Sequence, residues 1–224
     1  NMQIQNQNNN IKFTSTPLYH VNLKRVGNNA EDFERAIISK LNPYDKIDDS
    51  AIKNIRNHLI HNEMYKNQHR TGIDFCEEFE DHFLDMANFN AIELINNEEL
   101  SKKIIGLVSF YKNLSGKMRL NLLFTMPNCQ NANQKRKIKG IGEIALGNVF
   151  NQAKELNAKE ITIDSSNSAV KFYEKTFKKA GINPKLQEGQ SFIIKNNDFE
   201  KYLNYIKNEY KTDFSQKIQN GIAV

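Results

Sequence analysis

The sequence predicts one α/β domain over residues 13–224, behind a disordered tail over residues 1–12. Three observations predict it. Short β-branched and aromatic runs alternate along the chain with segments whose apolar residues recur at helical spacing. Residues 118–126 (MRLNLLFTM) form an apolar run typical of a buried central strand. No internal repeat and no linker-like stretch divides the chain, so one layered core is the economical reading.

Taken in order, residues 18–26 (LYHVNLKRV) alternate as a first strand. Phe33, Ala36, Ile37 and Leu41 recur at helical spacing and predict a helix. Ser50 predicts the N-cap of a second helix carrying Ile52, Ile55 and Leu59. Phe75, Phe79, Phe83 and Met86 mark a third, and that aromatic stripe reads as core. Residues 90–95 predict a short strand and residues 103–111 (KIIGLVSFY) a longer one. Asn113, Ser115 and Gly116 supply a turn into the central strand, which Pro127 stops. Residues 128–134 are polar and read as unstructured. Residues 142–156 predict a helix with Ala145, Leu146, Val149, Phe150 and Ala153 on one face. Residues 160–164 (EITID) predict a strand. Residues 168–180 predict a helix with Val170, Tyr173, Phe177 and Ala180 on one stripe, stopped by Gly181 with Pro184 following. Residues 190–195 predict the last strand, and Phe199, Tyr202, Leu203, Ile206 and Tyr210 one face of a terminal helix.

Composition bounds the function. The chain has 31 Lys and Arg against 26 Asp and Glu, a net charge of +5 with His neutral. That is mild for 224 residues; it permits a phosphate-bearing ligand without arguing for nucleic acid. The hydrophobic fraction is 39%, and about one residue in seven is Asn. No stretch approaches about 18 consecutive apolar residues, so no membrane span is expected. The first ten residues carry no apolar export segment, and Cys76 and Cys129 make no disulfide framework, so a cytoplasmic location is expected. Asn and Lys richness fits an AT-rich genome and leaves a secreted bacterial effector conceivable. His58, His61 and Glu63 lack an HExxH pattern or Cys partners and read as surface or packing residues; no metal is expected. Cys129 has no His nearby in sequence and reads as a bystander.

The stretch Gln134-Lys135-Arg136-Lys137-Ile138-Lys139-Gly140-Ile141-Gly142 is the most informative. Its two glycines let a ligand approach the backbone where a Cβ would collide. It feeds the first turn of a helix, whose unpaired N–H groups and positive dipole end attract phosphate. A P-loop is rejected, because Asn148 stands where that motif needs Lys. Gly140-Ile141-Gly142-Glu143-Ile144-Ala145, with Asp164 about twenty residues on, also fits a dinucleotide turn. That motif, however, needs an apolar strand running into its first glycine, and here the preceding residues are charged.

Residues 103–182 resemble the GNAT acyltransferases. Their pyrophosphate motif, Arg/Gln-x-x-Gly-x-Gly/Ala at a helix start, corresponds to Lys137-Ile138-Lys139-Gly140-Ile141-Gly142, with Lys in the first position. Their Asn-x-x-Ala-x-x-x-Tyr-Glu-Lys motif corresponds to Ala169 through Tyr173-Glu174-Lys175, with Asn167 one place late. The resemblance implies a mixed, mostly antiparallel sheet with helices on both faces. Its central parallel strands, residues 118–126 and 160–164, would splay. It implies acetyl-CoA as co-substrate. The pantetheine arm would pair with backbone near Leu123, Phe124 and Thr125. The N–H groups of Lys137, Ile138, Lys139, Gly140, Ile141 and Gly142 would hold the pyrophosphate, with Asn167 as a further cofactor contact. An amine acceptor, a small molecule or a protein, would attack the thioester directly, and Tyr173 would protonate the leaving thiolate.

The proton acceptor for the amine is not identified by the resemblance; Glu93 is one candidate. Asp164 is expected to tune its strand end or cap the next helix. Glu77, Glu78, Glu80 and Asp81 read as an outward solvated helix face, with an acidic acceptor cleft as the alternative. The N-terminal helical region would roof the acceptor side or make a homodimer contact. Two other readings stay open: a catalytically inactive module binding CoA or a partner, and a nucleotide- or nucleic-acid-binding protein using residues 135–139.

Overall fold

A computed structural model describes residues 15–26, 32–61, 70–81, 87–95, 104–126, 137–187 and 189–218. The elements in chain order are β1 (Thr16–Val26), β2 (Phe33–Lys40), α1 (Lys46–His61), α2 (Arg70–Glu80), β3 (Asn88–Leu94), β4 (Ile104–Lys112) and β5 (Met118–Thr125). They continue as β6 (Lys137–Lys139), α3 (Ile141–Glu155), β7 (Glu160–Asp164), α4 (Val170–Lys179), β8 (Lys185–Gln187), β9 (Ser191–Lys195) and α5 (Phe199–Tyr210). The nine strands form one sheet in the order β6-β1-β2-β3-β4-β5-β7-β9-β8. Every neighbouring pair is antiparallel except β5 and β7. This is the mixed, mostly antiparallel α/β sheet expected above.

The sheet has a hydrophobic cluster on each face, because its central strands are apolar on both sides. On one face Ile144, Val149 and Phe150 of α3, Phe177 of α4 and Tyr202 and Ile206 of α5 pack on Ile92, Val108 and Ile161. On the other, Ile52 and Leu59 of α1 and Phe75, Cys76 and Phe79 of α2 pack on Phe89, Leu107 and Phe124. The Phe75/Phe79 stripe is core, with both rings edge-on to Phe89 at 5.5 and 5.2 Å.

The structure corrects three element readings and adds one strand that the sequence did not predict. Residues 33–40 are the strand β2, not a helix. Ala36 and Ile38 alternate inward, and β1 and β3 pair on its two sides, which outweighs the accidental helical spacing. Helix α1 starts at Lys46 and not after Ser50: the Asp45 carboxylate accepts the N–H groups of Ile47 at 2.8 Å and Asp48 at 3.3 Å, the N-cap role assigned to Ser50. Residues 137–139, read as loop, form the edge strand β6 on β1. Residues 185–187 form the exposed edge strand β8.

β5 and β7 part early. Their parallel pairing covers only Met118↔Ile161, Arg119↔Thr162 and Leu120↔Ile163. A β-bulge sits at the same point: Phe110 faces Leu120 and Ser109 faces Leu122, so Asn121 is the extra residue. A bulge bends its strand and sharpens its twist, which turns residues 121–125 away from β7.

Phe83, Met86, Glu63, Cys129, Lys135, Arg136 and the stretches 1–12 and 128–134 lie outside the described residues. Among the described residues, no helix is long and apolar enough to cross a membrane.

Candidate functional site

The site grows from the turn into α3. Gly140 has φ +94, the left-handed region that glycine enters without penalty. A Cβ there would lie 2.2 Å from the Tyr210 ring. A Cβ on Gly142 would meet Phe172 at 3.0 Å. The first helical bond runs from the Ile144 N–H to the Gly140 carbonyl at 2.8 Å, and Gly140 offers no side-chain cap. The N–H groups of Ile141, Gly142 and Glu143 therefore have no intrahelical acceptor and stand at the positive end of the helix dipole.

Beside this turn lies a cavity of about 440 Å³ between the start of α3, one face of α4 and the end of α5. Four lysines, Lys24, Lys139, Lys175 and Lys179, and two glutamates, Glu143 and Glu209, line it. Lys24 pairs with Glu209 at 2.5 Å and stands over the Tyr210 ring at 5.6 Å. Lys179 pairs with Glu143 at 2.9 Å. Lys139 and Lys175 make no ion pair among the described residues, so the cavity keeps net positive charge. Glu143, nearly buried, also takes the Tyr210 hydroxyl hydrogen bond and one from Thr176 at 3.4 Å. The Tyr202 hydroxyl donates to its backbone carbonyl at 3.2 Å. A carboxylate thus sits in the first turn of α3, tied to α4 and α5.

The expected site residues divide. Lys139, Gly140 and Gly142 line the cavity. Ile138 is buried, Ile141 is core, and the backbone of Lys137, Ile138 and Lys139 is laddered to β1. That pairing narrows the unladdered part of the loop to Gly140, Ile141 and Gly142. Leu123 approaches the loop, its Cδ2 being 3.7 Å from where a Gly142 Cβ would stand. Met126 donates to the Ile105 carbonyl at 2.9 Å. By alternation, Phe124 also turns its backbone groups to β4, whereas those of Leu123 and Thr125 point toward the β7 side. The Phe124 side chain belongs to the α1/α2 core. Asn167 is exposed in the turn before α4 and makes no hydrogen bond among the described residues.

Tyr173 is 6% exposed. It packs on the rings of Phe172, Phe192 and Phe177 at 5.1, 5.7 and 6.2 Å, and burial pushes its phenol above the ordinary tyrosine range. It stands one layer behind the cavity, flanked by the cavity residues Phe172 and Thr176. Asp164 accepts from Ser191 Oγ at 2.5 Å and pairs with Arg119, holding β9 and β5 to the end of β7. Glu93 is buried on β3, between β2 and β4, and takes a hydrogen bond from Ser15 at 3.3 Å. The His61 Nδ1 lies 2.7 Å from the Asn57 carbonyl.

The acidic run of α2 separates by face. Asp74 pairs with Arg70 at 2.6 Å, Glu77 with Arg56 at 3.4 Å and Arg70 at 3.6 Å, and Glu80 with Arg56 at 3.8 Å. Glu78 turns to the sheet and accepts from the Asn121 amide at 2.5 Å.

Sequence reading missed Lys24, Lys175, Thr176, Lys179, Glu143 and Tyr210. Lys175, Thr176 and Lys179 carried a signal, since they share the helix face of Phe172 one turn from Tyr173. Lys24 and Tyr210 reach the site only through long-range packing.

A family model described as an acetyltransferase (GNAT) domain matches residues 74–193, more than half of the chain. No curated protein matches the sequence. Among solved structures, a GNAT-family acetyltransferase from Staphylococcus aureus is similar at 16% identity and TM-score 0.46, over 72% of this chain and 99% of that one. A GNAT-family acetyltransferase from Brucella melitensis, solved in complex with acetyl-CoA, is similar at 14% identity and TM-score 0.43, over 71% and 87%. One from Desulfovibrio desulfuricans is similar at 9% identity and TM-score 0.47, over 72% and 99%.

Proposed function

The chain belongs to the GNAT acetyltransferase family, and from that premise we propose that it moves an acetyl group from acetyl-CoA to a primary amine by direct attack. One observation carries the reading: the uncapped start of α3 opens, through Gly140 and Gly142, onto a lysine-lined cavity of about 440 Å³ on the side of the sheet where β5 has left β7.

The diphosphate would lie against the N–H groups of Ile141, Gly142 and Glu143, with Lys139 and Lys175 as counter-charges. Lys179 would have to share itself between Glu143 and the ligand. The pantetheine arm would run along β5 beside Leu123, whose backbone groups face the gap. Acetyl-CoA supplies the activated acyl carbon. The amine nitrogen forms a bond to that carbon and sheds one proton, the C–S bond breaks with its electron pair going to sulfur, and sulfur takes a proton from a donor that the nitrogen's proton restores. Tyr173 is the donor in this reading. Its phenol stays protonated in its dry surroundings, and the same dryness raises the basicity of a thiolate formed beside it.

Calorimetric titration with acetyl-CoA against NADH tests the cofactor, and a thiol-release screen over primary amines tests the reaction. Binding of acetyl-CoA but not NADH, with thiol released, is the expected result. Tyr173→Phe should lower kcat about 10²-fold or more while leaving acetyl-CoA affinity within a few-fold. Binding without turnover in the parent protein would point instead to an inert CoA-binding module.

A further inference from the structure

Five carboxylates stand on or directly after α2, and the structure treats one differently. Asp74, Glu77 and Glu80 share Arg56 and Arg70 in ion pairs within α2 and between α1 and α2. Asp81 follows the helix as a turn residue. Glu78 is half-buried and faces the sheet, where its partner is Asn121. Asn121 is the bulged residue of β5 and the first one past the last β5–β7 pair, Leu120↔Ile163. The Asn121 amide also reaches Ser109 Oγ on β4 at 3.4 Å. Among the described residues Glu78 has no cationic partner, so its carboxylate stands at the root of the gap with an amide as its contact, on the face opposite α3 and its cavity.

A thioester held in that gap has its cofactor arm on the α3 side. With the cofactor arm there, the side left for an attacking amine is the opposite one, between β5 and α2. We propose that Glu78 is the residue that takes the proton from the acceptor amine, a role that rests on the acyltransfer reading above. The acceptor arrives as an ammonium and gives one proton to Glu78. The freed electron pair forms the C–N bond. The C–S bond breaks, and sulfur gains the proton given by Tyr173. The second proton shed by nitrogen replaces the one Tyr173 lost, and Glu78 returns its proton to water. Asn121 holds the carboxylate against the bulge; Ser109 orients the amide.

The surroundings suit a base. Burial raises the Glu78 carboxyl above the ordinary glutamate range, opposed by the Asn121 hydrogen bond, and Asp74 on the same helix raises it further. From α1, Arg56 spends itself on Glu77 and Glu80. Asn121 and Ser109, the groups facing Glu78 from β5 and β4, carry no charge. A carboxylate with raised affinity for protons accepts one from an ammonium more readily.

The test compares the parent protein with Glu78→Gln and with the exposed-face control Glu77→Gln, all in full-length form. The probes are acetyl-CoA and, as acceptors, spermidine, a lysine peptide with a blocked N-terminus and a peptide with a free one. Glu78→Gln should bind acetyl-CoA within about twofold of the parent yet lose about 10²-fold or more in kcat/KM for the amine at pH 7. Its residual rate should climb close to tenfold per pH unit up to about pH 9, as the amine itself deprotonates. Glu77→Gln should stay within about twofold. Glu78→Gln turning over within threefold of the parent, or losing activity with a pH profile parallel to the parent's, would overturn the role of Glu78 alone. A parent that neither binds acetyl-CoA nor releases thiol would overturn the acyltransfer reading and this role with it. A thermal melt of each variant separates a folding defect, which lowers the melting temperature and acetyl-CoA affinity together, from lost chemistry; the Glu78→Asp variant, with shorter reach and the same charge, should then recover part of the rate if Glu78 acts as the base and none if it does not.

Discussion

On one face of the sheet α3, α4 and α5 leave a cavity with four lysines and two glutamates beside an uncapped helix start. On the other, α1 and α2 close over Phe75, Phe79 and Phe89, and all the α2 carboxylates but Glu78 are tied to arginines or lie at the outer end. Both faces are helix on strand over a buried apolar core. What differs is the layer above the core: one gathers cations around backbone donors, the other sets the half-buried carboxylate of Glu78 beside a bulge. A polyanionic cofactor and a cationic acceptor would each find opposite charge on its own side, so the two substrates need not compete for one surface.

A glycine on each face gives the sharpest way to break that division. Gly140→Ala must hold a left-handed φ and push a Cβ into the Tyr210 ring, at 2.2 Å. It should cost about 2–4 kcal/mol of stability and weaken acetyl-CoA binding about tenfold or more, read by thermal melt and calorimetry. Unchanged acetyl-CoA affinity in the folded variant would remove the α3 turn from the cofactor site. Gly72→Ala on α2 meets the Phe124 ring at 2.7 Å and Leu59 at 2.9 Å, with no unusual φ. Because a ring can turn, about 1–3 kcal/mol is expected, with amine turnover falling and acetyl-CoA affinity kept. If cofactor affinity falls instead, the two faces are not independent. The smallest effect belongs to Lys175→Gln. An exposed cation without an ion pair among the described residues should contribute about 2–5-fold in acetyl-CoA affinity at low salt, shrinking as salt screens it. A loss that salt leaves untouched would mean Lys175 acts by packing and not by charge.

The reading from sequence succeeded where local pattern and tertiary demand agree. The runs that became β4, β5, β7 and β9 are rich in apolar or β-branched residues that reach the core, and α3, α4 and α5 carry their apolar stripes plainly. It failed at β2, where Phe33, Ala36, Ile37 and Leu41 fit a helix as well as a strand, and only pairing with β1 and β3 decides. It failed at β6, because three residues bonded to a strand more than a hundred residues earlier leave no local period. In the site, Gly140 and Gly142 were legible because the turn favours glycine: Gly140 takes a positive φ, and a Cβ on either would press on a ring from a distant helix. Glu78 was read as part of a solvated face, although it occupies the i+3 place of the Phe75/Phe79 stripe and so borders the buried side of α2.

Sequence alone determined the alternation of strands and helices and the glycine turn into α3, because periodicity and backbone freedom are local properties that each residue carries wherever it lies. Only the tertiary structure decided which lysines surround that turn, where Tyr173 rests and which carboxylate meets the bulge at Asn121. Those depend on contacts between residues far apart in the chain, Tyr210 with Gly140 and Glu78 with Asn121, whose partners are chosen by packing the two helical layers onto one sheet.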